Sequence, residues 1–119
     1  MENKNVAEKI KQECMNLLSN RKIFNNVSVD FLDKYRSIYS NKQVLAIVNN
    51  AELISTAQLF LQNNLNITLA SKKGYMHRNT LIYRIDKIKR LIGLDIRVFE
   101  EAVVFENLVM FYDMVRNHK

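Results

Sequence analysis

The sequence predicts an all-α fold, a helical bundle, on three observations. The 119 residues contain no Pro and only two Gly, so few positions interrupt a helix. Apolar residues recur at spacings of three and four along most of the chain. Segments dense in β-branched or aromatic residues, which would mark strands, are few. A chain of this length encloses one core of modest size, so no second independent fold is expected.

Over residues 4–18, Val6, Ile10, Cys14, Leu17 and Leu18 recur at helical spacing between lysines and glutamates, which predicts an amphipathic first helix. The Ser- and Asn-rich stretch 19–28 breaks it. Ser28 or Asp30 then caps a second helix with Phe31, Leu32, Tyr35, Ile38 and Tyr39 on one side. A short apolar piece, residues 44–48, ends at Asn49 and Asn50. Asn50 is the expected cap of a helix of about three turns carrying Leu53, Ile54, Ala57, Phe60 and Leu61 and stopping near Gln62. Thr68 is expected to cap a short helix over residues 69–73, ended by Gly74 with a positive φ. From His77 the spacing of Leu81, Ile85, Ile88 and Ile92 predicts a longer helix stopped by Gly93. A last helix runs from Asp95 or Arg97 to about Arg116, with His118 in a terminal tail. Its apolar residues occupy more than one side, since Phe99, Val103 and Met110 share no stripe with Val98, Phe105, Val109 and Tyr112. The second side is expected to face either the core or a second subunit. Residues 1–50 form an N-terminal region serving as linker or dimerisation region, and residues 51–119 the main domain.

Charge is distributed unevenly. Lys and Arg number 18 against 12 Asp and Glu, a net +6. Residues 71–97 hold eight bases and two acids and the remainder ten of each, so the whole excess falls within 27 residues. A short helix, a turn with Gly and a longer helix with bases on its outer side is the sequence form of a helix-turn-helix, whose second helix enters the DNA major groove. At about 100° per residue, Ile85, Ile88 and Ile92 fall within about 40° of Leu81, while Asn79, Tyr83, Asp86, Lys87 and Arg90 lie opposite. Arg grips guanine O6 and N7, Asn does the same for adenine, and Thr bonds to either or touches a thymine methyl. Arg78, Asn79 and Thr80 are therefore the expected base readers. Lys72, Lys73, Lys87 and Arg90 are expected on phosphates, which makes binding fall with salt. Arg84 lies on a flank of the same helix, and Tyr83 serves either as a half-buried packing residue or as a phosphate contact.

The run YMHRNTLIYR at residues 75–84, followed by a basic stretch and IGLD at residues 92–95, resembles the C-terminal helix-turn-helix of the PucR family, which includes purine-catabolism and sugar-diacid regulators. The resemblance extends over residues 53–108 and includes LISTAQLFLQNNLN upstream. It implies an all-α DNA-binding module at the C-terminus of a longer regulator that senses a metabolite and acts as a dimer or larger assembly. Ser71 and Gly74 stand where the family has the Ala and Leu that pack the first helix of the motif, so Tyr75 or Met76 is expected to fill that volume. The residues before Leu53 do not carry the family's sensor, which makes the chain either the C-terminal part of a longer regulator or a short one without a sensor.

Other classes find little support. His77 has no Cys, His or carboxylate partner at metal spacing, so it is expected to cap the longer helix or touch a phosphate. No cofactor is expected. Acid/base pairs, nucleophile elbows and phosphate loops are missing as patterns, and no enzyme is expected. Aromatic-rich strands for stacking RNA bases are missing as well. A lone Cys14 reads as a small buried hydrophobe in a reducing cytoplasm, and no apolar run nears the roughly 18 residues of a membrane span. The expected partners are double-stranded DNA and a second copy, as a homodimer. The rival is a helical interaction module whose basic helix docks an acidic protein.

Overall fold

The computed structural model describes residues 38–117, together with Glu8 and Gln12. The helix expected over residues 4–18, most of the one expected after residue 28, the burial of Cys14 and the tail with His118 lie outside the described residues. Among the described residues the fold is all-α, with helices α1 (Lys42–Val48), α2 (Ala51–Gln62), α3 (Ile67–Lys73), α4 (Arg78–Ile92) and α5 (Phe99–Asn117).

Three helices start on asparagine. The Asn41 Oδ1 accepts from the backbone N–H of Gln43 and Val44 at 2.9 and 3.2 Å, Asn50 from Leu53 at 3.1 Å and Asn66 from Leu69 at 2.9 Å. Each bond satisfies an orphan donor of a first turn, worth about 1 kcal/mol. Asn50 caps as its position predicts. Thr68 does not: Asn66 takes that role, so α3 begins two residues earlier than expected, at Ile67. The apolar piece 44–48 is itself a helix, α1, and bends by 70° into α2 across Asn49 and Asn50.

Helix α4 packs against α1, α2 and α3. Its stripe of Leu81, Ile85, Ile88 and Ile92 is 0% exposed and meets Val44 and Ile47 of α1, Leu53, Ala57 and Phe60 of α2 and Ala70 of α3 in one core. Val44 and Ile47 precede residue 51 yet are as deeply buried as anything after it. Leu94 and Ile96 lead to α5, which adds Ala102, Val104, Phe105, Leu108 and Phe111 to the same cluster. The C-terminal half of α5 is tied back by two tyrosines. The Tyr39 hydroxyl donates to the Leu108 carbonyl, and that of Tyr112 donates to Asn49 Oδ1 at 2.8 Å. Their rings lie 5.3 Å apart, tilted by 57°. Among the described residues no single helix is long and apolar enough to cross a membrane.

The turn between α3 and α4 departs from expectation in an informative way. Gly74 has φ −92°, not a positive value. A Cβ there would lie 2.3 Å from Leu59 Cδ2, so this glycine serves the close approach of α2. The left-handed residue is the next one, Tyr75, at φ 49°. Its N–H donates to the Lys72 carbonyl at 3.3 Å and that of Met76 to the Ser71 carbonyl at 2.9 Å, the paired bonds of a Schellman cap with Tyr75 in the position glycine commonly fills. Tyr75 is 99% exposed and fills no volume; Leu59 occupies the space beside Gly74, and Met76 packs partly buried against the core. Gly93 behaves as predicted, ending α4 at φ 77° with its N–H on the Lys89 carbonyl at 2.8 Å.

Candidate nucleic-acid interface

Four residues, 74–77, join α3 to α4, the connection of a helix-turn-helix. Because the isoleucine stripe fixes the inner face of α4, helical periodicity turns the opposite face outward. His77 is the N-cap, with Nδ1 accepting from the Asn79 N–H at 3.1 Å. In the neutral ring this leaves Nε2–H as an outward donor.

Of the residues expected to meet DNA, Lys72, Lys73, His77, Arg78, Asn79, Tyr83 and Arg90 are exposed, and Thr80 and Lys87 are half-buried. They run from the last turn of α3, across the turn, along the outer face of α4. The Arg78 guanidinium donates to Thr68 Oγ1 at 3.0 Å, an exposed bond linking the two helices. The Arg90 guanidinium lies 5.5 Å from the centre of the Tyr83 ring. Tyr83 is 57% exposed.

Arg84 is not brought together with the others. Its guanidinium turns to α2, donating to Thr56 Oγ1 at 3.0 Å and to Glu52 at 3.4 Å, with Met76 Sδ at 4.0 Å. Thr56 is 1% exposed, and its own hydroxyl proton goes to the Glu52 carbonyl at 2.7 Å. Arg84 is thus a clamp between α4 and α2 that satisfies a buried hydroxyl. Its ion pair with Glu52, whose side chain is 77% exposed, adds little.

Two further bases of the cationic segment are internally compensated. Arg97 pairs with Asp86 at 2.8 Å and Asp95 at 2.8 Å, and Lys89 lies 3.8 Å from Asp95. Lys72, Lys73, Arg78 and Lys87 stand outside these pairings, so the cationic surface is narrower than the sequence count. Asp95 also accepts from the Arg97 backbone N–H at 3.0 Å, while its own N–H donates to Glu101 at 3.1 Å. These bonds hold the link before α5, which starts at Phe99 rather than at Asp95 or Arg97.

Burial alone would raise the Asp95 pKa, but hydrogen bonds from Arg97 and the charges of Arg97 and Lys89 outweigh it and hold the carboxyl below its usual value. The same pair holds the Arg97 guanidinium above its usual value, chiefly through the Asp95 hydrogen bond. A carboxylate with a depressed folded pKa adds stability above its unfolded pKa, near 4, and loses it as pH falls through the lower folded value. Asp95→Asn keeps an acceptor for the Arg97 N–H and removes the charge. Denaturant titrations are expected to find this variant less stable than the parent at pH 7, with the gap closing below pH 4; a gap independent of pH contradicts the assignment.

Fold and site together define a helix-turn-helix domain with a cationic second helix. Residues 53–107, just under half of the chain, match the PucR C-terminal helix-turn-helix domain. The chain is 39% identical over 72 residues to the uncharacterised protein YxkF of Bacillus subtilis (strain 168), a match covering 60% of this chain and 24% of that one. It is 36% identical over 56 residues to the carbohydrate diacid regulator of Escherichia coli (strain K12), covering 47% of this chain and 14% of the regulator. It is 36% identical over 45 residues to the purine catabolism regulatory protein of B. subtilis, covering 38% and 8%. The matches thus span a quarter or less of the length of these relatives. No solved structure matches the chain.

Proposed function

We propose that the chain is a sequence-specific DNA-binding transcriptional regulator, or the C-terminal DNA-binding part of one, with α4 in the major groove. The observation that carries this reading is the exposure of Arg78 and Asn79 together at the start of α4, beside Lys72, Lys73, Lys87 and Arg90, while the opposite stripe of the helix is wholly buried. Helix N-termini in this motif meet base edges, and the flanking cations meet phosphates. One relative is named a regulator and another a regulatory protein, which supports the same role. Leu59 fills the space beside Gly74, so the motif keeps its packing there, which favours this reading over the docking of an acidic protein. Residues 51–119 carry the DNA-binding domain in this reading, and residues 1–50 the linker or dimerisation region, whose helix α1 is built into the domain's core. No enzymatic step is involved, and the site of action is the cytoplasm, where bacterial-type regulators meet DNA.

Selection from random duplexes with the purified chain tests this reading. A pseudopalindromic site with half-sites about one DNA turn, roughly 34 Å, apart is the expected product; no enrichment over the input pool contradicts it.

Palindromic recognition implies a homodimer, and the outer side of α5 is its proposed surface. Met110, 44% exposed, lines a groove shared with α2 together with Ile54, Leu61, Val103 and Val109, and Phe99, 74% exposed, lines a neighbouring one with Leu61 and Val103. Phe99→Glu is expected to weaken dimerisation at least about tenfold in sedimentation equilibrium without lowering the melting temperature, as for an exposed apolar anchor. A dimer unchanged by the substitution moves the interface elsewhere.

A further inference from the structure

Tyr75 is the one residue in the turn that the fold does not explain. Its side chain is 99% exposed, the most exposed of the large hydrophobics among the described residues, and so contributes nothing to the core. Its backbone is left-handed, φ 49°, a conformation that glycine or asparagine adopts more cheaply than an aromatic residue. The Schellman bonds at this turn use only main-chain atoms, and glycine at position 75 would preserve both. The chain therefore carries a strained, fully hydrated aromatic ring where stability alone favours a smaller residue. Such outliers concentrate at binding sites.

Its neighbours indicate the ligand. Lys72 and Lys73 lie three and two residues before it, and His77 and Arg78 two and three residues after, all exposed. When the start of α4 faces base edges, the turn leading into it lies along the wall of the groove, which is phosphate and sugar. A tyrosine there offers one hydrogen-bond donor at the end of a rigid ring, suited to a phosphate oxygen and without means to read a base pair from that distance.

Resting on the DNA-binding reading above, we infer that Tyr75 is a DNA-backbone contact, its hydroxyl donating to a phosphate at the edge of the groove entered by α4. It adds affinity without adding sequence preference. The strained conformation is what projects the ring away from the protein.

The test compares the full chain with Tyr75→Phe and Tyr75→Gly on the selected duplex and on a scrambled one, alongside thermal unfolding. Tyr75→Phe is expected to bind both duplexes about three- to tenfold more weakly, the scale of one hydrogen bond made in exchange for water. Tyr75→Gly is expected to lose at least as much affinity while melting no lower than the parent. Both variants binding within about twofold of a parent that itself prefers the selected duplex overturns the inference and leaves the DNA-binding reading standing. A lower melting temperature for Tyr75→Gly gives the side chain a structural role and also overturns it. A parent that distinguishes no duplex from another overturns the functional reading, and this inference with it.

Discussion

Arg78→Ala is expected to cost about 1 to 3 kcal/mol per half-site on the preferred duplex, five- to more than a hundredfold in affinity, while leaving scrambled DNA nearly unaffected. The size follows from losing a bidentate grip on a base edge. The partner Arg78 holds without DNA, Thr68 Oγ1 at 3.0 Å, is an exposed hydroxyl that water replaces, so the free protein is not expected to unfold. Lys73→Ala supplies the contrast. An exposed ammonium at the end of α3 is proposed to neutralise a phosphate whatever the sequence, so this variant is expected to weaken both duplexes alike and to flatten the slope of log affinity against log salt by about 0.9 per half-site. Titrations of both variants on both duplexes separate the two roles. Uniform losses for Arg78→Ala would reassign it to the backbone and leave Asn79 and Thr80 as the readers.

The second large effect concerns the element that aims the site. Ile88→Ala removes a side chain that is 0% exposed at the centre of the α4 stripe and is expected to lower unfolding free energy by about 2 to 5 kcal/mol in urea titration. A domain of this size is worth about 5 to 15 kcal/mol in total, so much of its stability is at stake. Lys87→Ala, one residue earlier on the outer face, is expected to change stability by less than about 0.5 kcal/mol. A similar loss for both would mean that α4 is not seated on its isoleucine stripe.

These two residues also show what the sequence makes legible. The buried face of α4 is readable because burial repeats with the helical period, and Leu81, Ile85, Ile88 and Ile92 are all 0% exposed as the spacing predicts. Asn50 and Gly93 are readable because a cap and a left-handed stop are set by neighbours two to four residues away. The outer face of α4 follows from the inner one, which is what makes Asn79, Tyr83, Lys87 and Arg90 legible.

Partners distant in sequence were not legible. Arg84 looks like one more cation on a basic helix, and only its approach to Thr56 and Glu52, 28 and 32 residues away, makes it a clamp. The pairings of Arg97 with Asp86 and of Lys89 with Asp95 likewise subtract from a charge that a linear count assigns entirely to the surface. Gly74 was misread because a glycine after a helix suggests a left-handed cap, whereas here the requirement is steric and set by Leu59 on another helix. The consequence, that the left-handed position falls to Tyr75, could not be found without that contact. Thr68 and Asn66 compete for the same cap two residues apart, and both are acceptable types, so local chemistry alone does not separate them.

The central claim is that the exposed start of α4 reads base pairs and the cations around it hold the backbone. Titrating the duplex selected by the chain and a scrambled duplex of equal length, each at two salt concentrations, tests it most directly. The account predicts a preference of at least about a hundredfold for the selected duplex at both salts, with both affinities falling as salt rises. Weak and equal binding to both duplexes, steeply suppressed by salt, would contradict it and leave α4 as a basic surface without sequence recognition.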